Sequence, residues 1–450
     1  MRVRLVYDHE LHGQCQISDQ TAFNSNCDCG IISGRPNIPT LAFPVIYSIE
    51  LTTLCNNRCS DCGNVFLKDT ITRRMPLEKR IMSFEYWRVI LDTIAPFAQG
   101  LKITGGEATL HPEFKHIINY IQTLGIEFSL LTNGRWVNPE ETIALLKSTP
   151  VCIGMLISLH GVDAATHDAF TGIPGSFYEA TQNIRRSTSA GLVVHTNTVL
   201  TRQNYNQVEG VFQLSQALGA KCAVFNRLIG QQRRDFDLQP SNLRLAVHEV
   251  DRLGQKSNTT RFGTCIPLCF VDSSSTGCLA GTAYCTIDPW GNIRPCNHAP
   301  QIIGNLLVNS LDDIWQSAAM ETWRSLIPNA CSACSAFKKC HGGCRAEMIL
   351  RNKVHDPLMS VPLEANSDED GEICLYEHAI PELKYLLREE IFGSILFKGG
   401  DIIPLNDNTH LVISTLSQRP TLLEIQQHFG DDGVNFIGLL YQCGAVSLHW

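Results

Sequence analysis

The sequence has no uncharged apolar run long enough to cross a bilayer, and its N-terminus (MRVRLVYDHELHGQ) lacks the apolar segment of a secretory signal peptide. It also lacks an excess of positive charge, because 36 Lys and Arg face 44 Asp and Glu, giving a net charge of −8. We therefore expect neither a nucleic acid nor a membrane as a partner. These absences predict a soluble, cytoplasmic protein.

Charged residues are few, at 18%, whereas 44% of the chain is apolar, which excludes a disordered protein. The length of 450 residues predicts about three domains. The chain has 19 cysteines, too sparse for a small disulfide scaffold. Because many of them cluster at short spacings, they indicate metal or iron–sulfur ligation in a reducing compartment.

Short apolar runs alternate with amphipathic stretches between residues 45 and 230, which predicts a parallel sheet with helical crossovers. The predicted strands are Val45–Leu51, Leu101–Thr104, Ile126–Thr132, Val151–Leu159, Leu192–Val199 and Lys221–Leu228. The predicted helices are Ser83–Ala95, one beginning near Pro112, one with Pro139 at its first position, Phe177–Ala190 and Tyr205–Leu218. The alternation stops after the sixth strand, so the fold class is α/β, with an open or partial (β/α)6 barrel favoured over a full eightfold one. In such barrels the chemistry lies at the carboxyl ends of the strands.

Short motifs follow four of these strands. Cys55, Cys59 and Cys62 (C-x3-C-x2-C) follow the first strand, and the sequences Gly-Gly-Glu at 105–107 and Thr-Asn-Gly at 132–134 follow the second and third. The fourth ends in ISLHG, which includes Ser158. Three thiolates suit a [4Fe–4S] cube with one open iron, although a zinc site or buried structural cysteines would give the same spacing. Each of the other motifs, taken alone, is also compatible with an ordinary turn.

Taken together, in this order and spacing, the four motifs resemble those of the radical SAM superfamily. The resemblance implies that Cys55, Cys59 and Cys62 hold a cluster whose open iron binds S-adenosylmethionine. It further implies that Gly105, Gly106 and Glu107 hold the methionyl amino group, that Ser158 contacts the ribose or carboxylate, and that Leu228 lines the adenine pocket. Reductive cleavage of the cofactor would give a 5′-deoxyadenosyl radical that abstracts a substrate hydrogen, with a ferredoxin or flavodoxin as the reductant.

A second group of cysteines begins at Cys278 and continues through Cys285, Gly291-x4-Cys296 and Cys331-x2-Cys334-x5-Cys340-x3-Cys344 to Cys374. A pair of zinc sites is the alternative, but the pattern is similar to the SPASM extension of radical SAM peptide maturases. That resemblance implies two auxiliary [4Fe–4S] clusters, for three clusters in all. The first would be ligated by Cys278, Cys285, Cys296 and Cys344, and the second by Cys331, Cys334, Cys340 and Cys374. We interpret the remaining pairs Cys27/Cys29 and Cys265/Cys269 as shielded thiols, with ligation as the alternative.

The last residues, 385–450, predict two short strands (Ser394–Phe397 and Asp401–Pro404) followed by helices at Thr409–Leu416, Leu422–Phe429 and Val434–Cys443. This pattern weakly resembles the winged-helix element with which maturases of ribosomally made peptides bind a leader peptide, and a plain helical cap is the alternative. The expected organisation is an N-terminal extension (1–44), the barrel (45–235), a polar bridging segment (236–277), the SPASM domain (278–384) and the winged-helix-like module (385–450).

The leading hypothesis is a radical SAM/SPASM enzyme that modifies a ribosomally synthesised precursor peptide. Its product would be a cross-link, an excision, an epimer or a dehydrogenated residue. The enzyme alternative is a sulfatase-maturing enzyme that forms formylglycine, because that family has the same two-part pattern. The non-enzyme alternative is an iron–sulfur electron carrier, which would have no need of the Gly-Gly-Glu motif or the serine after the fourth strand.

Overall fold

The structure is a computed structural model that describes residues 2–6, 40–59, 61–66, 76, 81–230, 236–257, 259–271, 277–359, 372–398 and 401–449. The chain divides into two compact units, one made of Met1–Ala42 and Glu364–Trp450 and the other of Phe43–Leu363. The first element, β1 (Arg2–Val6), belongs to the former unit. The pair Cys27/Cys29 lies outside the described residues.

The larger unit is built on one twisted sheet whose six central strands are parallel. They are β2 (Ile46–Glu50), β3 (Gly100–Thr104), β4 (Phe128–Thr132), β5 (Cys152–Ser158), β6 (Val194–Leu200) and β7 (Cys222–Arg227). They follow one another in sequence order across the sheet, so all six predicted strands and the partial barrel are confirmed.

The five predicted crossover helices are confirmed, and a sixth, Ala164–Thr171, was not predicted. They are α1 (Phe84–Ile94), α2 (Phe114–Leu124), α3 (Pro139–Lys147), α4 (Ala164–Thr171), α5 (Ser176–Ser189) and α6 (Val208–Ala217). Helix α1 buries Trp87, Ile90, Leu91 and Ile94 against the sheet. Pro139 is at the first position of α3, as predicted, because its missing N–H would have no intrahelical partner there.

The sheet continues beyond the six predicted strands on both sides. The segment expected to bridge domains instead folds into a helix, α7 (Pro240–Ser257), and a short strand, β8 (Thr260–Phe262), which is parallel to β7. On the other side, β9 (Tyr284–Ile287) is parallel to β2 and is followed by β10 (Asn292–Arg294) and β11 (Gly304–Asn305). Four short helices complete the unit: α8 (Leu311–Trp315), α9 (Ala318–Arg324), α10 (Phe337–Cys340) and α11 (Arg345–Leu350).

The smaller unit joins the two ends of the chain. Its strands are β12 (Glu372–Tyr376), β13 (Ile380–Leu383), β14 (Leu386–Glu390), β15 (Gly393–Lys398), β16 (Asp401–Leu405) and β17 (Val446–His449). Strand β1 pairs with β12, β13 pairs with β17, and β14, β15 and β16 form an antiparallel sheet.

Two helices of the smaller unit follow this three-stranded sheet: α12 (Asp407–Thr415) and α13 (Leu422–Gln442), which has non-helical backbone at Gly430. They confirm the predicted helices, and the break at Gly430 separates the last two of them. The residues Leu396, Leu405, Leu422, Ile437 and Leu440 are fully buried in the core of this unit. Strands β12, β13, β14 and β17 were not predicted.

Candidate active site

The three cysteines of the first motif lie on the loop that follows β2. Cys55, Cys59 and Cys62 are half-buried and are not disulfide-bonded. Burial is the main cause that raises the pKa of Cys55 to about 12, and the Cys62 thiol adds to it. Burial likewise raises the pKa of Cys59, with both other thiols contributing, so the three sulfurs lie close together. Metal binding displaces the protons of cysteine ligands, so the raised pKa values of Cys55 and Cys59 are compatible with a ligand role.

This cysteine loop is held from the carboxyl ends of other strands. The Asn133 amide, after β4, donates to Asn56 Oδ1 at 2.7 Å and to Cys55 Sγ at 3.8 Å. The Arg135 guanidinium donates at 2.8 Å to the Asn56 carbonyl oxygen and to Asn57 Oδ1. Arg135 was not among the predicted site residues, although its place directly after the Thr-Asn-Gly motif could have indicated it.

The two glycines of the Gly-Gly-Glu motif press against the same loop. A Cβ on Gly106 would lie 2.1 Å from the Leu54 carbonyl oxygen, and one on Gly105, whose φ is +152°, would lie 2.8 Å from that of Thr52. The Gly106 N–H donates to Thr52 O at 2.7 Å and the Glu107 N–H donates to Leu54 O at 2.6 Å. Only glycine permits this backbone contact, which fixes the end of β3 to the cysteine loop.

The Glu107 carboxylate is buried and ties the ends of β3 and β4 together. It accepts hydrogen bonds from Thr132 Oγ1 at 2.9 Å, from the Asn133 N–H at 2.8 Å and from Thr109 Oγ1 at 2.8 Å. Burial raises its pKa, and these donors oppose the rise because they favour the charged form. The side chain thus organises the backbone around the motif, and its contact with a methionyl group stays a prediction.

Ser158 and Leu228 also lie at the carboxyl edge of the barrel. Ser158 ends β5, is half-buried and is in register with Asn197 of β6. Leu228 follows β7 and packs with Phe170 and Phe236 in a small apolar cluster that also contacts Cys59. The structure therefore brings the predicted adenine-side residue next to a predicted cluster ligand.

A buried polar group links β2 to the second cysteine region. Glu50, the last residue of β2, is completely buried and forms an ion pair with Arg294 of β10. Glu50 Oε1 accepts a hydrogen bond from the Asn297 amide at 3.1 Å. These contacts attach the segment around Cys296 to the strand that carries the first cysteine loop.

Seven of the eight cysteines predicted in the SPASM region lie in the larger unit, and none of the seven is disulfide-bonded. Three of them lie together: Cys278, Cys296 and Cys344. Burial raises the pKa of Cys296, and the nearby Cys278 and Cys344 thiols raise it further. A second group comprises Cys331, Cys334 and Cys340, which line one cavity. Both groups consist of free cysteine thiols, which are the usual ligands of iron–sulfur clusters.

The two other predicted ligands are placed differently. Cys285 lies on β9 in the hydrophobic core, and its pKa is raised by burial without a contribution from another thiol among the described residues. Cys374 lies on β12 in the smaller unit and is disulfide-bonded. Cys265 and Cys269, interpreted above as shielded thiols, lie instead beside the two groups. The Cys278 and Cys344 thiols raise the pKa of Cys265, and Cys269 lines the cavity of the second group.

Within the described part of the chain, no three His, Cys, Asp or Glu side chains converge tightly enough to hold a single metal ion. A four-iron cube keeps its ligands further apart than one ion does, so this spacing and the iron–sulfur interpretation are compatible. No helix among the described residues is both long and apolar enough to traverse a bilayer.

Comparison with known proteins matches residues 49–215 to the radical SAM superfamily and residues 278–341 to the SPASM iron–sulfur cluster-binding domain. The chain is 26% identical over 331 residues to the AdoMet-dependent heme synthase of Methanosarcina barkeri, covering 67% of this chain and 91% of that protein. It is also 26% identical over 342 residues to AlbA, the antilisterial bacteriocin subtilosin biosynthesis protein of Bacillus subtilis, covering 72% and 71%.

The fold is similar to that of Streptococcus suis SuiB in its crystal structure with the precursor peptide SuiA. The TM-score is 0.59 at 19% sequence identity, over 72% of this chain and 77% of SuiB. The matched regions are those in which the structure places the cysteine loop, the Gly-Gly-Glu motif and the second cysteine region. The chain is therefore an enzyme of the radical SAM superfamily, with an SPASM iron–sulfur domain following its partial barrel.

Proposed function

We propose that this enzyme modifies a ribosomally synthesised precursor peptide. The observation that carries the proposal is the order of a radical SAM barrel and an SPASM domain in a chain related to AlbA, whose name assigns it to the biosynthesis of a bacteriocin. The likeness of fold to SuiB, which was crystallised with its precursor peptide, supports the same substrate class. The heme synthase relative makes a tetrapyrrole the competing substrate.

The site fits a [4Fe–4S] cluster and S-adenosylmethionine. Three thiols, those of Cys55, Cys59 and Cys62, lie on one loop, and two adjoining glycines, Gly105 and Gly106, are at positions where a Cβ would clash with its backbone. When bound, these groups supply a 5′-deoxyadenosyl radical that removes a hydrogen atom from an unactivated C–H bond.

The chain's own residues hold and shield this centre. Asn133, by its hydrogen bonds, and the Gly-Gly-Glu backbone fix the cysteine loop. The apolar cluster of Phe170, Leu228 and Phe236 would keep water from the side of Cys59. Glu107 would hold the motif in place while the methionyl group binds.

The smaller unit would bind the peptide. Strand β14 pairs with β15 alone among the described strands, so its other edge can accept an added strand. On and just after this strand Leu386 is 59% exposed and Ile391 84% exposed, which provides apolar contacts for the side chains of an extended peptide. We assign this edge to the leader segment, in preference to a helical cap.

The test is anaerobic reconstitution with iron, sulfide, S-adenosylmethionine and a strong reductant, with candidate precursor peptides encoded beside the gene. We expect 5′-deoxyadenosine and a mass change in one peptide, both absent from the Cys55→Ala/Cys59→Ala/Cys62→Ala variant. A mass loss confined to a sulfatase-type CxPxR peptide would support the sulfatase-maturing alternative. If only a tetrapyrrole changes in mass, the peptide assignment is wrong.

If wild type binds iron and sulfide but forms no 5′-deoxyadenosine, the radical mechanism fails and the protein is an electron carrier. Peptide binding is tested separately by anisotropy with the labelled peptide that is modified. Ile391→Glu on the full chain should weaken binding at least 10-fold, whereas Val137→Glu, at a position 79% exposed in the larger unit, should not. Equal affinities would exclude this edge as the peptide site.

A further inference from the structure

We propose that Cys265 and Cys269, rather than Cys285 and Cys374, complete the ligand sets of the two SPASM clusters. The first set would be Cys265, Cys278, Cys296 and Cys344, and the second Cys269, Cys331, Cys334 and Cys340. Cys265 and Cys269 precede the SPASM match, which covers residues 278–341. The inference depends on the SPASM domain and not on the substrate.

Hydrogen bonds place Cys265 beside the first group. The Arg227 N–H donates to Thr264 Oγ1 at 3.1 Å, directly before Cys265. The Arg227 guanidinium forms an ion pair with Asp356 at 2.8 Å, and Asp356 Oδ2 accepts the Cys344 N–H at 2.8 Å. The loop before Cys265 and the backbone of Cys344 are therefore held by one buried ion pair.

Cys278 is held beside the same segment. Its carbonyl oxygen lies 3.2 Å from His341 Nδ1, and His341 is three residues before Cys344. The segment from His341 to Cys344 therefore contacts Cys278 and, through Asp356 and Arg227, the loop before Cys265.

The second set surrounds a single cavity. Cys269, Cys331, Cys334 and Cys340 all line it. The Leu268 N–H, directly before Cys269, donates to Cys340 Sγ at 3.4 Å, which fixes the distance between the two segments. Burial raises the pKa of Cys331 to about 12, and the Cys340, Cys334 and Cys269 thiols each contribute.

The backbone beside this cavity has the form of an anion-binding nest. Three consecutive residues, His341, Gly342 and Gly343, have positive φ angles of 60°, 84° and 78°. Gly342 and Gly343 both line the cavity of the second set. Successive backbone N–H groups in such a nest bind anions, and nests of this kind occur at iron–sulfur sites.

A buried arginine accompanies each set. Arg227 is 4% exposed and Arg345 is 2% exposed. The Arg227 Nε and the Arg345 Nε and Nη1 have no hydrogen-bond partner among the described residues. Arg227 is close enough to Cys265 and Cys344 for their thiols to raise its pKa, and Arg345 lowers that of Cys331. Cluster sulfur would accept these N–H groups, and their charge would offset that of four thiolates.

The two cysteines that these sets leave out have other surroundings. Cys285 is completely buried among core side chains of β9, where it behaves as a small apolar residue. Cys374 belongs to the smaller unit and is disulfide-bonded, so its sulfur is not available as a thiolate. A complete second set exists within the larger unit without it.

The experiment uses the full chain with Cys55, Cys59 and Cys62 replaced by alanine, so that only SPASM clusters bind iron. Cys265→Ala is compared with Cys285→Ala, and Cys269→Ala with Cys374→Ala. After anaerobic reconstitution, iron and sulfide per chain are measured, and the reduced clusters are examined by electron paramagnetic resonance. We expect about eight irons in the background and about four in the Cys265→Ala and Cys269→Ala variants.

The matched Cys285→Ala and Cys374→Ala variants should keep the full iron content. If either of them loses as much iron as its partner variant or more, the assignment of that ligand is overturned. Aspartate variants separate ligation from folding, since Cys265→Asp and Cys269→Asp should retain iron through oxygen and shift the resonance of one cluster. An unchanged spectrum in both aspartate variants would also contradict ligation, and no substrate is needed for any of these measurements.

Discussion

Gly106 provides the most direct test of the contact between the Gly-Gly-Glu motif and the cysteine loop. In Gly106→Ala the new Cβ would lie 2.1 Å from the Leu54 carbonyl oxygen, and real Cβ contacts essentially never fall below 3.0 Å. The loop must therefore move away by about 0.9 Å, a shift that its backbone cannot avoid by rotating a side chain. The same oxygen accepts the Glu107 N–H at 2.6 Å, so that hydrogen bond is stretched or lost.

A displacement of about 1 Å in a catalytic arrangement costs on the order of 100-fold in rate. We therefore expect Gly106→Ala to form 5′-deoxyadenosine about 100-fold more slowly than wild type, measured by chromatography after anaerobic reconstitution. The amount of iron bound by the SPASM cysteines should be unchanged, because none of the atoms nearest Gly106 belongs to one of those cysteines.

The matched control is Gly100→Ala, at the start of the same strand. Its backbone has no positive φ, and nothing lies within 4 Å of the new Cβ, so its rate should remain within about twofold of wild type. A Gly106→Ala enzyme with wild-type rate would refute the reasoning, since it would show that this contact is not needed. A comparable loss in Gly100→Ala would point instead to a general defect of the strand.

Three further predictions concern buried charges. Replacing Arg345 by methionine should lower the reduction potential of one SPASM cluster, because a buried cation stabilises the more negative reduced state. A redox titration measures this potential, and Arg88→Met, at an exposed position, should leave it unchanged. Asp356→Asn leaves the buried Arg227 charge unpaired and should lower the free energy of unfolding by about 3 kcal/mol in denaturant titration, with Arg227→Met/Asp356→Leu losing less. An equal loss in the double variant would contradict this. Burial lowers the pKa of His167 from 6.5 to about 4, so its stabilising effect is present above pH 6.5 and declines as the pH falls towards 4. Between pH 7.5 and 5.5 wild type should lose about 1 kcal/mol more than His167→Asn, and equal losses would show that His167 titrates normally.

The barrel could be predicted because its evidence is local. Each of the six central strands is a short apolar run, and each motif directly follows one, so the carboxyl edge brings Cys55, Gly106, Ser158 and Leu228 to one end of the sheet. The short strand β8 has only three residues, too few to be recognised. Helix α7 was missed although its buried residues Leu243, Ala246, Val247, Val250 and Leu253 follow the helical period, so that periodicity was a usable signal. The pairing of β1 with β12 joins residues at opposite ends of the chain, which no local pattern reveals.

The cysteine sets show a different limit. Sequence spacing places Cys285 inside the motif between Cys278 and Cys296, whereas Cys265 and Cys269 lie before it. In the structure Cys285 belongs to β9, which pairs with β2, and its side chain packs in the hydrophobic core. The segment around Leu268 instead returns to Cys340 through a backbone hydrogen bond. Cys269 and Cys340 are close because the chain folds back at this point, and the spacing of the cysteines along the sequence does not show that.

Strand β2 connects the two cysteine regions. The loop at its carboxyl end carries Cys55, and its last residue, Glu50, forms a buried ion pair with Arg294 and accepts a hydrogen bond from Asn297. Cys296 lies between those two residues, and β9 extends the same sheet from the other side of β2. Because Glu50 and Arg294 are both buried and both belong to strands of one continuous sheet, the sheet, and not a flexible linker, determines where the segment around Cys296 lies relative to the first cysteine loop. The sheet therefore holds the first cysteine loop and the segment around Cys296 together as one framework.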